Sequence, residues 1–304
     1  MSISRRGFLQ LSALAGASFM VPDALRGLAS EKIIRQSNKI LVVINMQGGS
    51  DGLNTVIPYR NDIYYRSRPN ISIEGRNVIR LTDDVGLHPA LKGIRRLYDG
   101  GCVSIVNGVG GEADDRSHRS SERRLIETNR TLTDAMNGRV ISTDAALPIG
   151  EQMKGIEKLI KADVGTRIYY ATHTGYDTHV DQKEHHHKLL DELDNAVMAF
   201  VEDLKRSDRF KDVMIMTNSE FGRRVAENEF NGTDHGTANS MFFISGGLQH
   251  AGIFNDIPDL RDLDGGVLKQ FIDYRQVCTS ISDRWLCVDS EVMLIERHQS
   301  LAIV

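Results

Sequence analysis

The 304-residue chain has only 6 prolines, 3 cysteines and no marked excess of either charge, its net charge being -4. A surface so balanced lacks the basic stripe that binding a phosphate backbone needs, which argues against nucleic acid as a partner. Cys102, Cys278 and Cys287 show no metal-ligand spacing and lie in or near apolar runs. That pattern speaks against a zinc knuckle or a disulfide framework and for buried thiols. No internal repeat, low-complexity tract or linker is visible, and beyond residue 30 no apolar run approaches a bilayer span. What remains is a single α/β domain over residues 31–304, long enough for a full core.

The first 30 residues read as an export leader. Ser2-Ile3-Ser4-Arg5-Arg6-Gly7-Phe8-Leu9-Gln10 carries a twin-arginine signature. The segment Leu9 to Val21 that follows is mildly apolar, is interrupted by Ser12, Gly16 and Ser18, and is too short to span a bilayer. Such a leader directs export of folded proteins. The twin-arginine translocase is therefore the expected partner during export, with cleavage near Ala29. The mature protein is expected to be periplasmic or extracellular, with no stable membrane span.

Apolar runs alternate with helical patterns along the rest of the chain. Lys39–Met46, Val103–Val106, Arg167–Ala171, Val213–Met216 and Met241–Ile244 are short, largely apolar runs that read as buried strands. Helices are predicted from His88 to Tyr98, for about ten residues up to Thr128, from Glu151 to Ile160, up to Lys205 and from Val267 to Ile281. Leu189, Leu193, Val197, Phe200 and Leu204 stripe the fourth of these at steps of three and four. Residues 56–87 read as loop with short strands, residues 129–150 as weakly structured, and Trp285 to Val288 as a short packed segment. The order predicts a mostly parallel sheet sandwiched between helices.

Ligands in such sheets bind at the carboxyl ends of the strands, and several of these runs end in chemistry-bearing residues. The first leads to Asp51 within Gly48-Gly49-Ser50-Asp51-Gly52, the second to Arg116-Ser117-His118. The third leads to Asp177-Thr178-His179, the fourth to Glu220 and Arg223, and Asp234-His235 precedes the fifth. Carboxylates and imidazoles together form a mixed oxygen and nitrogen ligand set that suits zinc or manganese, and with fewer nitrogens calcium or magnesium. Residues i and i+2 of an extended segment point the same way, so Asp177 and His179 can share an ion. Ser117, near a helix start between Arg116 and His118, suits either a hydroxyl nucleophile or a helix cap. Asp51 equally suits a turn, Glu220 an ion pair with Arg223 or Arg224, and Asp177 a cap of the following helix. Neighbours on a helix diverge by about 100°, so His185-His186-His187 cannot chelate together and reads as a solvated face. His88, beside Pro89, reads as structural.

These motifs resemble the bacterial family catalogued as domain of unknown function 1501. The resemblance rests on Gly48–Asn54, His88-Pro89-Ala90-Leu91, Arg116-Ser117-His118, Tyr176–His179, Ser219–Arg223 and Gly232–Ala238, together with the leader. That family in turn resembles the alkaline phosphatase and sulfatase superfamily, which implies an alkaline-phosphatase-like fold. It also implies a metal site from Asp51, Asp177, His179, Glu220, Asp234 and His235. Two departures stand out: Glu220-Phe221 where the superfamily has Asp-His, and Met46-Gln47 where its first strand ends in an acid. The stretch from Thr128 to Glu151 is also short for the family.

The expectation is thus an exported hydrolase of phosphate or sulfate esters, carried by small molecules or glycans and dependent on zinc, manganese or calcium. The metal would polarise the ester oxygen, Ser117 or water would attack, and Arg116 or Arg223 would grip the anion bidentately. The alternative is a non-catalytic binding or accessory protein that keeps the fold. Export is directly testable: the double variant Arg5→Lys, Arg6→Lys should hold the protein in the cytoplasm on cell fractionation. Undiminished periplasmic protein would overturn the twin-arginine assignment.

Overall fold

The computed structural model describes residues 38–111, 140–287 and 298–303. The leader, the Arg116-Ser117-His118 motif and the helix expected up to Thr128 lie outside the described residues.

Eight strands form the central sheet: β1 (Ile40–Gln47), β2 (Val103–Gly110), β3 (Val140–Ser142), β4 (Ile168–Thr174), β5 (Val213–Ser219), β6 (Asn239–Ile244), β7 (Gly252–Ile253) and β8 (Ile272–Asp273). Their spatial order is β7-β2-β6-β5-β1-β4-β3, with β8 also paired to β2. β1 runs parallel to both β4 and β5, and β3 parallel to β4. β6 is antiparallel to its neighbours β5 and β2. The helices are α1 (Asp62–Ser67), α2 (Lys92–Asp99), α3 (Ile149–Lys161), α4 (Gln182–Arg206) and α5 (Tyr274–Ser280). Among the described residues, no helix is long and apolar enough to cross a membrane.

β1 shows why the strand runs are largely apolar. Side chains alternate across a strand, and both faces of this one are covered. Val42, Ile44 and Met46 enter a core completed by α2, α3 and α4, while Leu41 and Val43 enter a second core on the opposite face. That second core is closed by Val277 and Cys278 of α5 and by Ile281, Trp285 and Leu286 of the π-helical turn that follows. The Trp285 indole N–H donates to the Ile40 carbonyl at 2.9 Å, pinning this cover to the start of β1. Helices therefore lie on both faces of a mainly parallel sheet, as the alternation predicts.

α4 presents the predicted stripe, with Leu189, Leu193, Val197, Phe200 and Leu204 all buried. It also caps its neighbour. Leu91, at the N-cap of α2, offers no side-chain acceptor, and Asp194 of α4 supplies one, accepting from the Gly93 and Ile94 N–H groups at 2.7 Å each. Two orphan donors of a helix start are thereby satisfied from across the core.

Several boundaries differ from expectation. α2 starts at Lys92 rather than His88, because the His88 ring folds back to accept the Ala90 N–H at 3.1 Å. The helix expected from Val267 begins only at Tyr274, where Asp273 and Gln276 form a reciprocal capping box; Val267–Leu268 is a short strand. α1 arises inside the stretch read as loop, capped by Asn61, and β3 arises in the stretch read as weakly structured. Of the three thiols only Cys278 is buried; Cys102 is half-buried, Cys287 exposed, and all are free.

Two glycines separate close packing from mere backbone freedom. A Cβ on Gly222 would lie 1.9 Å from the Ala238 carbonyl oxygen, whereas on Gly155, inside α3, it would meet nothing within 4 Å. In urea melts Gly222→Ala should lose about 1–3 kcal/mol as the backbone shifts. Gly155→Ala should gain about 0.5–1 kcal/mol from its helix propensity.

Candidate metal centre

The site is built where β1, β4 and β5 end together. Gln47 is level with Thr174 and Met46 with Ser219, and antiparallel β6 begins at the same edge. The loop leaving β4 carries Asp177 and His179, and the loop joining β5 to β6 carries Glu220, Arg223, Asp234 and His235. This second loop folds on itself through an Arg223–His235 bridge, with the Arg224 N–H donating to the Asp234 carbonyl at 2.9 Å. Gly236 permits that approach, since a Cβ there would lie 2.6 Å from the Arg223 carbonyl. The Thr233 N–H donates to the Thr178 carbonyl at 3.2 Å, so the two loops are joined backbone to backbone.

This folding brings three donor atoms together. His179 Nε2 lies 2.9 Å from His235 Nε2 and 3.1 Å from Asp177 Oδ1, and His235 Nε2 lies 3.3 Å from that same oxygen. Ligand atoms about 2.0 Å from a tetrahedral ion stand about 3.3 Å apart, so the three atoms match one face of such a shell. Their spacing, with two imidazole nitrogens aimed at one point beside a carboxylate, fits a divalent cation. Asp177 is exposed and both histidines are half-buried, so the fourth side opens to solvent. Three protein ligands with an open position is the pattern of catalytic rather than structural zinc.

Burial alone would raise the Asp177 carboxyl, but the hydrogen bond and charge of Arg223 outweigh it and hold the group below its usual range. Asp177 is thereby kept ionised and ready to ligate. The Asp234 carboxylate lies 3.4 Å from His179 Nδ1, the ring nitrogen turned away from the cluster. Asp234, expected as a ligand, is placed instead as the acid that orients a ligand. Asn228 holds it there, donating from Nδ2 to Asp234 Oδ1 at 3.3 Å and to the His179 carbonyl at 3.0 Å. The Phe221 ring lies against His235, centroids 4.3 Å apart, and serves as a backstop for that ring.

Three other expectations need correction. Asp51 is not in the cluster: it is buried against Arg68 Nη1 at 2.6 Å and caps the short turn Gly52–Asn54. The Arg68 charge outweighs burial and keeps that carboxyl below its ordinary range. Arg223 is no anion grip, for its side chain is fully buried. Its Nε donates to the Gly49 carbonyl, its Nη1 to that of Thr233, and its Nη2 to those of Gly48 and Tyr176 and to Asp177. The histidine run is not uniformly solvated either, because His186 is buried, with Nε2 3.2 Å from the Thr55 hydroxyl. It sits one turn before Leu189 and Leu190, on the stripe of α4 that faces the core. Burial drives His186 down to about 4 and His88 to about 2, so both rings are neutral near pH 7. Glu220 is half-buried at the end of β5, outside the grouped donors. Ser117, Arg116 and His118 lie outside the described residues.

Sequence reasoning passed over Arg68, Gln182 and Asn228. Arg68 and Asn228 stand in stretches without periodicity, and Gln182 is a polar residue at the start of a helix. Their signal is burial, which a single sequence does not display for polar side chains.

Elemental analysis and zinc titration of purified variants test the ligand set. His235→Ala should lose the bound ion. Asp234→Asn should keep it with affinity about 10–100-fold weaker, as for other outer partners of a ligand histidine. Glu220→Ala should bind like the parent; if it is emptied of metal, Glu220 is a fourth ligand.

Comparison with curated proteins finds no match. Among solved structures the chain is similar to the lipoteichoic acid synthase LtaP from Listeria monocytogenes, at 11% identity and TM-score 0.41 over 87% of this chain and 80% of that one. It is similar to the C-terminal periplasmic domain of EcEptC from Escherichia coli, at 9% identity and TM-score 0.43 over 88% and 91%. A third is a protein in the alkaline phosphatase superfamily from Vibrio parahaemolyticus, at 10% identity and TM-score 0.36 over 80% and 69%. Residues 119–265 of the chain match the family model described as Protein of unknown function (DUF1501).

Proposed function

We propose that the protein is an exported, metal-dependent hydrolase of phosphate or sulfate esters. The observation that carries this is the convergence of Asp177, His179 and His235 donor atoms, 2.9 to 3.3 Å apart, at an open sheet edge. Two imidazoles and one carboxylate favour zinc or manganese over calcium as the ion. Such an ion, when bound, polarises an ester oxygen and acidifies a hydroxyl or water beside it. The protein's part is to hold that site. Asp234 fixes the His179 ring through Nδ1 and so keeps Nε2 directed at the cluster. Arg223 keeps Asp177 ionised, and Phe221 limits the swing of His235.

Attack is assigned to Ser117, with Arg116, its neighbour in sequence, for anion binding. Arg223, which is buried and donates to the fold from each of its side-chain nitrogens, is not proposed again. That commitment also supports the second reading, a binding protein that keeps the site without turnover, since one arginine expected to grip an anion does not. The substrate class is a small-molecule or glycan ester.

A screen of metal-loaded protein with generic aryl phosphate and aryl sulfate esters separates the two readings. Turnover should appear with one ester class and be lost in His235→Ala. Ser117→Ala should keep metal and fold but lose at least about a thousandfold in turnover, as removal of a nucleophile does. If that variant hydrolyses normally and is only less heat-stable, Ser117 is a helix cap and water attacks. Metal-loaded protein inactive on every ester would favour the binding protein.

A further inference from the structure

We infer that Gln182 is a positioning residue for the metal centre, locking its two ligand-bearing loops into one register; this rests on the metal reading above. Gln182 is the first residue of α4 and is fully buried. Its Oε1 accepts two hydroxyl protons, from Thr178 Oγ1 at 3.1 Å and from Thr233 Oγ1 at 2.5 Å. Thr178 stands between the ligands Asp177 and His179, and Thr233 stands two residues before His235. One carbonyl oxygen therefore holds both loops from behind, and both threonines are themselves buried.

The amide cannot turn over. Its Nε2 donates to Asp51 Oδ2 at 2.5 Å, and a carboxylate accepts only, so a flipped amide would set oxygen against oxygen. Asp51 is fixed in turn by Arg68 and by the N–H groups of Leu53 and Asn54 at 3.1 and 3.3 Å. The chain thus runs from Arg68 through Asp51 and Gln182 to the two hydroxyls, every side chain in it buried. The main chain reinforces it. Asp181, the N-cap of α4, has a left-handed backbone and no side-chain cap. The Asp181 and Gln182 N–H groups instead donate to the carbonyls of Phe230 and Asn231, at 3.0 and 2.9 Å. The start of the helix is thereby tied to the loop that carries His235. Asp51, expected as a ligand, acts on the metal at second remove.

A merely structural role would change stability and leave affinity alone, so the readout is zinc affinity by chelator competition beside circular dichroism of the metal-free protein. Gln182→Met, close in volume but without hydrogen bonds, should bind zinc about 10–100-fold more weakly while staying folded. Thr233→Val should weaken binding in the same direction, and Thr233→Ser, which keeps the hydroxyl, should restore it. Should Gln182→Met fail to fold, the Thr233 pair carries the test alone. Parental zinc affinity in folded Gln182→Met, or in Thr233→Val, overturns the positioning role and leaves the metal centre standing. No zinc binding by the parent protein overturns the metal centre and this inference together.

Discussion

The buried guanidinium of Arg223 is the interaction on which the rest of the site depends. It leaves the end of β5 and donates to carbonyls of the β1 loop (Gly48, Gly49), the β4 loop (Tyr176) and the loop entering β6 (Thr233). Removing a charge from water costs several kcal/mol, and that cost is offset only where the surrounding acceptors are complete. Here they come from three separate loops, so each loop must be in place before the charge is satisfied. The last donor contact goes to Asp177, which joins the scaffold to the chemistry.

Close backbone approach follows from this wiring. Gly48 and Gly49 both have positive φ, and a Cβ on Gly48 would lie 2.4 Å from the Asp177 nitrogen. On Gly49 it would run into the Phe221 ring that backs His235. Loops drawn in by one side chain leave no room for others between them. Glycine is therefore required where the β1 loop passes the β4 loop and where the chain re-enters β6 at Gly236.

What the sequence made legible divides along the same line. β1, β4 and β5 announce themselves because both faces are buried, so each opens with a run of apolar residues. β3 is three partly exposed residues, and β7 and β8 are two each, too short to hold a pattern. Asp177-x-His179 and Asp234-His235 could be picked out because chemistry-bearing side chains crowd at strand ends. Which nitrogen and which carboxylate meet could not, because Asp234 reaches the back of His179 only through a loop crossing held by Asn228. Asp51 misled for a related reason. Its partner Arg68 lies 17 residues on, in a stretch with no periodicity, and only burial makes that pair a structural one. The three adjacent histidines were separated by helical geometry, as expected. Yet the direction in which His186 points is set by the α4 stripe beginning at Leu189, which local composition does not reveal.

The commitment of Arg223 bears on how an anionic ester would be held. In the proposed hydrolase the Asp177 charge is offset by the guanidinium 2.8 Å away, and the two ligand imidazoles are neutral when they coordinate. A dication in that shell keeps most of its charge, reduced chiefly by Asp234 at one remove behind His179. A carboxylate-rich site would spend its ion's charge on its own ligands and would need free arginines to attract phosphate or sulfate. With one compensated carboxylate the ion itself becomes the main local attraction for an anion. In that hydrolase, drawing Arg223 into the fold would remove one anion contact and at the same time leave a bound ion the stronger electrophile.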